Sequence, residues 1–398
     1  MAKTEIFRAY CDRRAEQDRL RALTPGQIAA DGRLRRNGRL LVNFASNDYL
    51  GLSLHPALIE ASRVHTEKYG AGVAASRLVT GEHPAFGELE ARIARAKNQP
   101  AALVLASGYQ TNLTAVAALA DRDVAGRPVS ILADRLAHHS LLQGALLSGA
   151  RLMRFRHNDC DHLEQLLQSR AKRQDFCLIL TESVFGMDGD LADLARIGAL
   201  AQRYDALLYV DEAHATGVFG ARGFGLCEDF APVVDVAMGT FGKALGGFGS
   251  YLACAPEIRD FLIQRCGGLV YSTGLPPAVL GAIDAALTLV PQMAAERQNL
   301  LAQAARLRGA LNAQGWDCGA SASQIVPVLV GGETQTLALA AELERRGLLV
   351  PAIRPPTVPQ GSSRLRISLS AAHKAQDIDV LIDVLGELAP VYAPKAAA

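Results

Sequence analysis

Residues 235–247 read Asp-Val-Ala-Met-Gly-Thr-Phe-Gly-Lys-Ala-Leu-Gly-Gly, so that a short apolar run, Asp235–Gly239, leads directly into a glycine-rich turn around Lys243. The run is too short for a typical helix, which predicts a buried β-strand that ends at this turn. Glycines allow the backbone to approach a ligand closely, and a partly buried lysine can act as a nucleophile. A solvent-exposed loop lysine is the alternative, whereas a phosphate-binding loop is excluded because Ala244 follows the lysine.

Short apolar runs of the same kind recur along the middle of the chain and alternate with helical patterns. This alternation predicts βαβ units and an α/β fold with a mostly parallel sheet. The other runs that we interpret as strands are Ala102–Ala106, Val129–Ala133, Phe176–Leu180, Ala206–Val210 and Ser250–Cys254.

The two ends of the chain have a different pattern. The first forty or so residues are rich in arginine and predict a helix, followed by turns from Thr24 to Gly38. The elements predicted after Pro291 are a helix to Ala313, strands Ile325–Val330, Leu348–Ile353 and Arg364–Leu369, and helices Thr334–Arg346 and Asp377–Leu388. We therefore predict an N-terminal helical arm (1–45), a large sheet domain (46–288) and a small α+β domain (289–398).

Polar, titratable or glycine residues follow the predicted strands. Ligands of open α/β sheets bind beyond the carboxyl ends of the strands, so these residues are candidates for one site. The segments are Ser107–Asn112, Asp134 with His138 and His139, Thr181–Ser183 with Gly186–Asp190, Asp211–His214 and Thr240–Lys243. The helix start after Ser107 also offers free N–H groups to a phosphate, a signal that is weak when taken alone.

Residues 211–214 spell the letters DEAH, which also mark a Mg²⁺-binding box of nucleic-acid helicases. A nucleotide-driven motor would need a phosphate-binding loop upstream, and the sequence has none. The 41 basic and 40 acidic residues, with a net charge of +1, argue further against a nucleic-acid binder. Asp211 could simply cap a helix, and the functional alternative is a carboxylate that pairs with a ring nitrogen.

Metal, disulfide and membrane chemistry are not expected. His138 and His139 are adjacent, with no third ligand at metal spacing, so a structural histidine or an imidazole stacked on a flat cofactor is favoured. The seven cysteines are scattered and form no C-x-x-C pair, which predicts reduced thiols in a cytoplasmic protein. Met1–Leu20 is charged and no run approaches the ~20 apolar residues of a membrane span, so neither a signal peptide nor a membrane anchor is expected.

Taken in order, the motifs resemble the α-oxoamine synthases, a family of fold-type-I enzymes that depend on pyridoxal 5′-phosphate (PLP). The resemblance covers nearly the whole chain. It implies a transferase with a large, mostly parallel seven-stranded-type sheet domain, a small C-terminal α+β domain, PLP as cofactor, and a homodimer. The segments that carry it are Ser46–Leu52, Ser76–Gly81, Ser107–Tyr109, Asp134–His138, Glu182–Asp190, Asp211–Gly217, Thr240–Lys243, Tyr271–Thr273 and Arg364–His373.

The resemblance also implies roles for individual residues. Lys243 would hold the cofactor as a Schiff base and move protons at the substrate Cα, while Asp211 would pair with the pyridine nitrogen and so make the ring an electron sink. His214 would bond the phenolic oxygen, and His138 would stack on the ring. The other implied cofactor contacts are Gly108, Tyr109 and Thr240, the last near the phosphate, and Ser272 and Thr273 across a dimer interface. The implied substrate contacts are Arg21, Asn47, His138, Thr357 and Arg366, of which Arg366 would grip the amino-acid carboxylate.

One branch of the family is favoured. Arg354–Pro359 and the following Arg364–His373 resemble the biotin-pathway branch, which condenses L-alanine with a pimeloyl thioester of CoA or acyl carrier protein. The alternatives are glycine or serine with another acyl-CoA, or a PLP-binding regulator without activity, which is disfavoured because all chemical positions but one are filled.

The sequence departs from the family at two positions. Gly186 stands where the family usually has a serine that helps to hold the cofactor. Loss of a hydrogen bond to a charged group is worth ~1.5–3 kcal/mol, which predicts weaker cofactor binding. Glu212 stands where this branch often has aspartate, and we expect that change to have little effect.

Overall fold

The apolar runs in the middle of the chain form the strands of one seven-stranded sheet in a computed structural model that describes residues 3–171 and 173–393. The described strands are, in chain order, β1 Gln27–Ile28, β2 Leu34–Arg36, β3 Arg39–Asn43, β4 Ala101–Leu105, β5 Val129–Asp134, β6 Arg151–Phe155, β7 Phe176–Glu182, β8 Leu207–Asp211, β9 Val236–Thr240, β10 Ser250–Cys254, β11 Ile325–Gly331, β12 Leu348–Leu349, β13 Ala352–Ile353 and β14 Ser363–Ser368.

Helices connect these strands. The described α-helices are, in chain order, α1 Glu5–Glu16, α2 Pro56–Tyr69, α3 Pro84–Ala96, α4 Gly108–Leu119, α5 Arg122–Ala125, α6 His139–Leu147, α7 Cys160–Ala171, α8 Leu194–Arg203, α9 Pro256–Arg265, α10 Gly267–Val270, α11 Pro277–Leu289, α12 Ala294–Ala313, α13 Glu333–Arg345 and α14 Ala375–Tyr392. Short 3₁₀ segments lie at Leu52–Leu54, Leu226–Asp229 and Val290–Gln292, and a π turn at Arg77–Gly81.

The seven strands of the large sheet are ordered β4-β10-β9-β8-β7-β5-β6. β10 runs antiparallel to both of its neighbours, and the other pairs are parallel. The central strands are buried along their length, as expected for a sheet covered by helices on both faces. The carboxyl ends of β4 and β9 therefore meet the start of β10, since Ser250 pairs with both Leu105 and Thr240.

The edge strand β6 was not predicted from the sequence. Its Arg151 and Arg154 are exposed and interrupt the apolar pattern, so it carries no continuous hydrophobic signal. The other edge strand, β4, was predicted because its residues are apolar and buried from Ala102 to Leu105. A strand with one neighbour can carry exposed polar residues, and in β6 those residues hide the strand pattern.

Contacts divide the chain into two compact units. The sheet unit comprises Asn47–Gly186 and Asp190–Gln298, and the terminal unit comprises Met1–Ser46, Met187–Gly189 and Asn299–Ala398. These units are defined by contacts within the chain. The domain boundaries predicted from the sequence, at 45/46 and 288/289, remain predictions.

The terminal unit contains two further sheets, β11-β14-β13 and β1-β2-β3-β12. The turn-like segment predicted from Thr24 to Gly38 in fact contains β1 and β2, which form an antiparallel ladder with β3. β3 pairs in parallel with β12, with Val42 opposite Leu348. β1 and β2 are very short, and β3 pairs with a strand some three hundred residues away along the chain, so local patterns could not reveal this sheet.

Within the described residues no single helix is long and apolar enough to span a membrane. One bent pair, Pro277–Gln292 with Ala294–Ala313, meets the length and composition test only when its two halves, set at 75°, are joined.

Candidate active site

A cavity of about 300 Å³ lies in the sheet unit at the edge where the parallel strands end. Its walls come from the segments that follow the strands, as the sequence analysis expected. The cavity is lined by Ser107, Gly108, Tyr109, Asn112, His138, Ser140, Glu182, Asp211, Ala213, His214, Met238, Thr240, Gly242, Lys243, Phe248 and Gly249. Seven residues singled out from the sequence are among them, namely Gly108, Tyr109, His138, Asp211, His214, Thr240 and Lys243.

Lys243 is half-buried and its Nζ lies 2.8 Å from Nε2 of His214. The other ring nitrogen, Nδ1, lies 2.7 Å from the hydroxyl of Tyr49, which in turn contacts Oδ1 of Asn47 at 3.1 Å. The turn after Lys243 requires glycine, because Gly246 has φ +65° and a Cβ there would lie 2.4 Å from the carbonyl carbon of Leu52. The lysine is therefore held at the cavity by a tightly packed turn.

Asp211, at the end of β8, is buried and accepts two hydrogen bonds. Its Oδ1 accepts the N–H of Ala213 at 2.8 Å, and its Oδ2 accepts Nδ2 of Asn112 at 2.7 Å. Both carboxylate oxygens are thus oriented by rigid donors.

Glu182 lies beside Asp211 on the neighbouring strand, in register with it, and also lines the cavity. Burial raises the pKa of Glu182 well above its usual range, and the adjacent Asp211 raises it further. The protonated form of Glu182 is therefore favoured in the folded protein. Its Oε2 accepts the backbone N–H of Gly186 at 3.3 Å, so that it also anchors the loop after β7.

The cavity contains the groups that PLP requires. Thr240 Oγ1 is buried and has no hydrogen-bond partner among the described residues. A Cβ on Gly108 would lie 2.5 Å from Cγ2 of Thr240, so only glycine lets this threonine pack against the start of α4. The first amides of that helix could hold a phosphate, Lys243 could supply an amine for the aldehyde, and Asp211 could supply a carboxylate for the ring nitrogen.

Comparison with known proteins identifies the family. Residues 39–385 match the family model described as aminotransferase class I and II. The chain belongs to this family.

Curated relatives within this family indicate the type of enzyme. The chain is 54% identical over 373 residues to a putative 8-amino-7-oxononanoate synthase from Paramagnetospirillum magneticum, covering 94% of this chain and 95% of the relative. It is 50% identical over 371 residues to the 8-amino-7-oxononanoate synthase of Gluconacetobacter diazotrophicus, covering 93% of each. The chain is thus an acyltransferase-type aminotransferase-family enzyme, which confirms the predicted relationship.

Solved structures agree on the fold and the cofactor. A serine palmitoyltransferase solved with a PLP internal aldimine has a TM-score of 0.88 at 25% identity and covers 98% of each chain. The 8-amino-7-oxononanoate synthase of Francisella tularensis has a TM-score of 0.76 at 25% identity, over 88% of this chain and 98% of that one. The fold-type-I architecture and PLP as cofactor are confirmed, whereas structural likeness at this identity does not separate the two acyl-transfer specificities.

The remaining predicted residues are not among the described residues that line the cavity. Ser272 accepts Nε2 of Gln110 at 2.5 Å, and Thr273 forms an isolated bridge with Ser76. In the terminal unit, Arg21 donates to Oγ1 of Thr357 at 3.1 Å. The buried Arg366 on β14 donates to Oγ of Ser368 at 2.7 Å, and its assigned role, like the others, stays a prediction.

Gly186, the departure from the family serine, has a physical reason. A Cβ at this position would lie 2.5 Å from Nε2 of His214, so a side chain here must displace that imidazole. Ser183, a neighbour that could have replaced the missing hydroxyl, is buried but is not among the residues that line the cavity.

Gly186→Ala is expected to destabilise the apo protein by about 1–3 kcal/mol, because the methyl group overpacks the His214 contact. Urea unfolding measures the change. Gly87→Ala is the matched control, since a Cβ at this helical glycine meets nothing within 4 Å and should stabilise by about 0.5–1 kcal/mol. Equal changes in the free energy of unfolding for Gly186→Ala and Gly87→Ala would contradict the predicted crowding of His214.

His157 forms a charged contact between two loops of the sheet unit and was not predicted from the sequence. Its Nδ1 lies 2.9 Å from Asp134, at the end of β5, and its Nε2 lies 2.8 Å from Asp190. Burial alone would lower the pKa of His157, but the two carboxylates outweigh burial and raise it to about 10. The protonated ring thus joins two loops and packs edge-on against Phe185 at 4.4 Å.

The His157 link predicts a pH-dependent stability. Because the folded pKa is raised, its contribution is complete below the unfolded value of about 6.5 and is lost as pH rises to about 10. The free energy of unfolding should therefore fall more steeply between pH 7 and pH 10 in the wild type than in His157→Gln. Parallel urea-unfolding curves for the two proteins across this range would rule out the charged link.

Glu212 has a structural task that sequence did not reveal. Its carboxylate forms a fully buried ion pair with Lys97, and its Oε1 accepts the N–H of Cys227 at 2.9 Å. Lys97 also donates to the carbonyl of Phe224 at 2.5 Å. Within the tetrapeptide 211–214, Asp211 and His214 line the cavity while Glu212 fixes the loop behind it.

Proposed function

We propose that this chain catalyses the PLP-dependent decarboxylative condensation of L-alanine with a pimeloyl thioester in biotin biosynthesis. The products are 8-amino-7-oxononanoate, CO₂ and free thiol. The observation that carries the proposal is the convergence of Lys243, Asp211 and His214 on one cavity in a chain that is 50–54% identical to relatives named for this product. Family membership supports PLP dependence, and the relatives' names support the pathway.

Each proposed step is assigned to a residue of this chain. When bound, PLP supplies an electron sink for the electrons released at the substrate Cα. Lys243 anchors the cofactor, takes the Cα proton of alanine and returns a proton after CO₂ has left. Asp211 keeps a proton on the ring nitrogen, and His214 donates to the phenolic oxygen. Arg366 would hold the alanine carboxylate as a two-pronged donor and so restrict rotation about the substrate Cα.

His138 has a restricted role in this scheme. Burial lowers its pKa, so the imidazole is neutral near pH 7. A neutral ring suits stacking on the cofactor and hydrogen bonding to substrate, and it is a poor proton donor for the chemical step.

The second candidate function is another α-oxoamine synthase activity, with glycine or serine and a different acyl-CoA. The similarity to serine palmitoyltransferase structures supports this alternative. The higher identity to named 8-amino-7-oxononanoate synthases and the run Arg354–Pro359 favour the alanine and pimeloyl pair.

A substrate panel decides between them. The PLP-loaded protein is mixed with alanine, glycine or serine and with pimeloyl-CoA, pimeloyl acyl carrier protein, acetyl-CoA or palmitoyl-CoA, and free thiol release and product mass are measured. Alanine with a pimeloyl thioester should give the highest kcat/KM, and the two pimeloyl donors compare CoA with carrier protein. A higher kcat/KM for glycine or serine with another acyl group would overturn the proposal.

Arg366→Ala should raise KM for alanine by at least about tenfold, because a charge-assisted pair is worth ~1.5–3 kcal/mol. KM for the acyl thioester should change much less. Arg366→Lys keeps the charge but loses the planar fork, so its alanine KM should lie between the two. An unchanged alanine KM in a folded Arg366→Ala protein would contradict this assignment.

Two further features follow from the family and are proposed with the function. The enzyme acts as a homodimer, with Ser272 and Thr273 reaching the partner's cofactor phosphate. It works in the cytoplasm, where the cysteines remain reduced.

A further inference from the structure

Asn112, at the start of the second turn of α4, is a buried amide whose hydrogen bonds are all satisfied inside the site. Its Nδ2 donates to Oδ2 of Asp211 at 2.7 Å and to Oγ of Ser140 at 3.0 Å. Its Oδ1 accepts the hydroxyl of Tyr209 at 2.8 Å. Asn112, Ser140 and Tyr209 are all buried, and the proposed function assigns none of them a role.

The orientation of this amide is fixed by chemistry. An ionised Asp211 can only accept hydrogen bonds, so the amide nitrogen faces it. Tyr209 secures the other end, because burial raises the pKa of its phenol well above the ordinary value and keeps the hydroxyl a donor. Tyr209 lies two positions before Asp211 on β8, so both side chains point to the same face of the sheet.

The second donor of Asn112 reaches His138 through Ser140. Oγ of Ser140 lies 2.6 Å from Nδ1 of His138, and it donates its own proton there because a backbone N–H also donates to this nitrogen. The backbone N–H of Ser140 donates to the same Nδ1 at 3.3 Å. Nδ1 therefore accepts twice, and the ring proton is on Nε2.

We propose that Asn112, held by Tyr209, is a positioning residue that aims the Asp211 carboxylate at the cofactor ring nitrogen and, through Ser140, keeps His138 in its Nε2-protonated form. The proposal rests on the roles proposed for Asp211 and His138. If the amide rotated by half a turn, its carbonyl would face the carboxylate and repel it. A rigid amide thus orients Asp211 and His138 before PLP binds, so that neither side chain has to reorganise when the cofactor enters.

Tyr209→Phe tests the first half of the proposal, because it removes only the hydroxyl that holds the amide. Its dissociation constant for PLP should rise on the order of tenfold, since a buried acceptor loses its partner. The visible absorption band of the bound cofactor should also shift. Asn112→Leu removes both donors and should have the larger effect on both readouts.

Tyr251→Phe is the matched control. Tyr251 is also a buried sheet tyrosine with a single hydroxyl contact, to Thr216 at 2.9 Å, and is not among the cavity-lining residues. It should lose similar stability with PLP affinity and spectrum unchanged. If Tyr209→Phe behaves like this control, Asn112 and Tyr209 are merely structural and the proposal is overturned.

Nitrogen-15 NMR of the histidine rings in the apo protein tests the second half. His138 should show the Nε2-protonated tautomer in the wild type and a mixture of tautomers in Ser140→Ala. A wild-type Nδ1-protonated ring would overturn the Ser140 link. PLP affinity, the cofactor spectrum and the histidine tautomer are all measured without turnover. A protein that shows the expected values but has no activity in the substrate panel would therefore contradict the proposed function and still support this inference.

Discussion

Lys243→Ala is expected to abolish the covalent attachment of PLP and to lower kcat for product formation by at least about 10³-fold, because proton transfer at Cα and the anchoring amine are lost together. The half-buried Nζ, 2.8 Å from Nε2 of His214, is the amine that the cavity presents to an aldehyde. PLP should still bind reversibly, since the phosphate and ring contacts remain.

Borohydride reduction followed by peptide mass spectrometry measures the attachment directly. The wild type should carry a pyridoxyl group on the peptide that contains Lys243, and Lys243→Ala should carry none. Lys68→Ala, in which a lysine beside Tyr69 on α2 is removed, is the control and should retain both the adduct and activity. An adduct on another lysine, or wild-type turnover in Lys243→Ala, would refute the assignment.

The sequence was informative about the site because the functional side chains come directly after strands. The central strands are marked by short apolar runs, and the residues after them must meet at one edge once those strands lie in parallel. Lys243, Asp211, His214 and Thr240 could therefore be predicted to lie together, and they do line one cavity.

The groups that sequence reasoning missed act from inside regular elements. Tyr209 interrupts the apolar run of β8, and Asn112 lies on the buried side of α4, so each is a polar residue in an apolar stretch. That pattern could have flagged them as buried hydrogen-bonding groups. Their partners could not be predicted, because Asn112 and Asp211 are 99 positions apart along the chain and meet only through the strand order.

Lys97→Met is expected to lower the free energy of unfolding by about 3–5 kcal/mol, because it leaves the Glu212 carboxylate buried without its cation. The two side chains are 1% and 0% exposed. Burial alone would lower the pKa of Lys97, but the charge of Glu212 outweighs burial and raises it, so Lys97 carries its charge in the folded protein. Urea unfolding of the apo protein measures the loss.

The matched control is the exposed charge cluster on α2, where Arg63 forms ion pairs with Glu60 and Glu67. Arg63→Ala should change stability far less, because water screens these charges before and after the substitution. The double variant Lys97→Met with Glu212→Leu should be more stable than Lys97→Met alone, since no charge is left buried. It should still fall short of the wild type, because the Cys227 N–H loses its acceptor. The opposite outcome is that the double variant loses as much unfolding free energy as Lys97→Met and Glu212→Leu lose together when measured separately. That result would show that the loss comes from packing around each side chain and not from an unpaired charge.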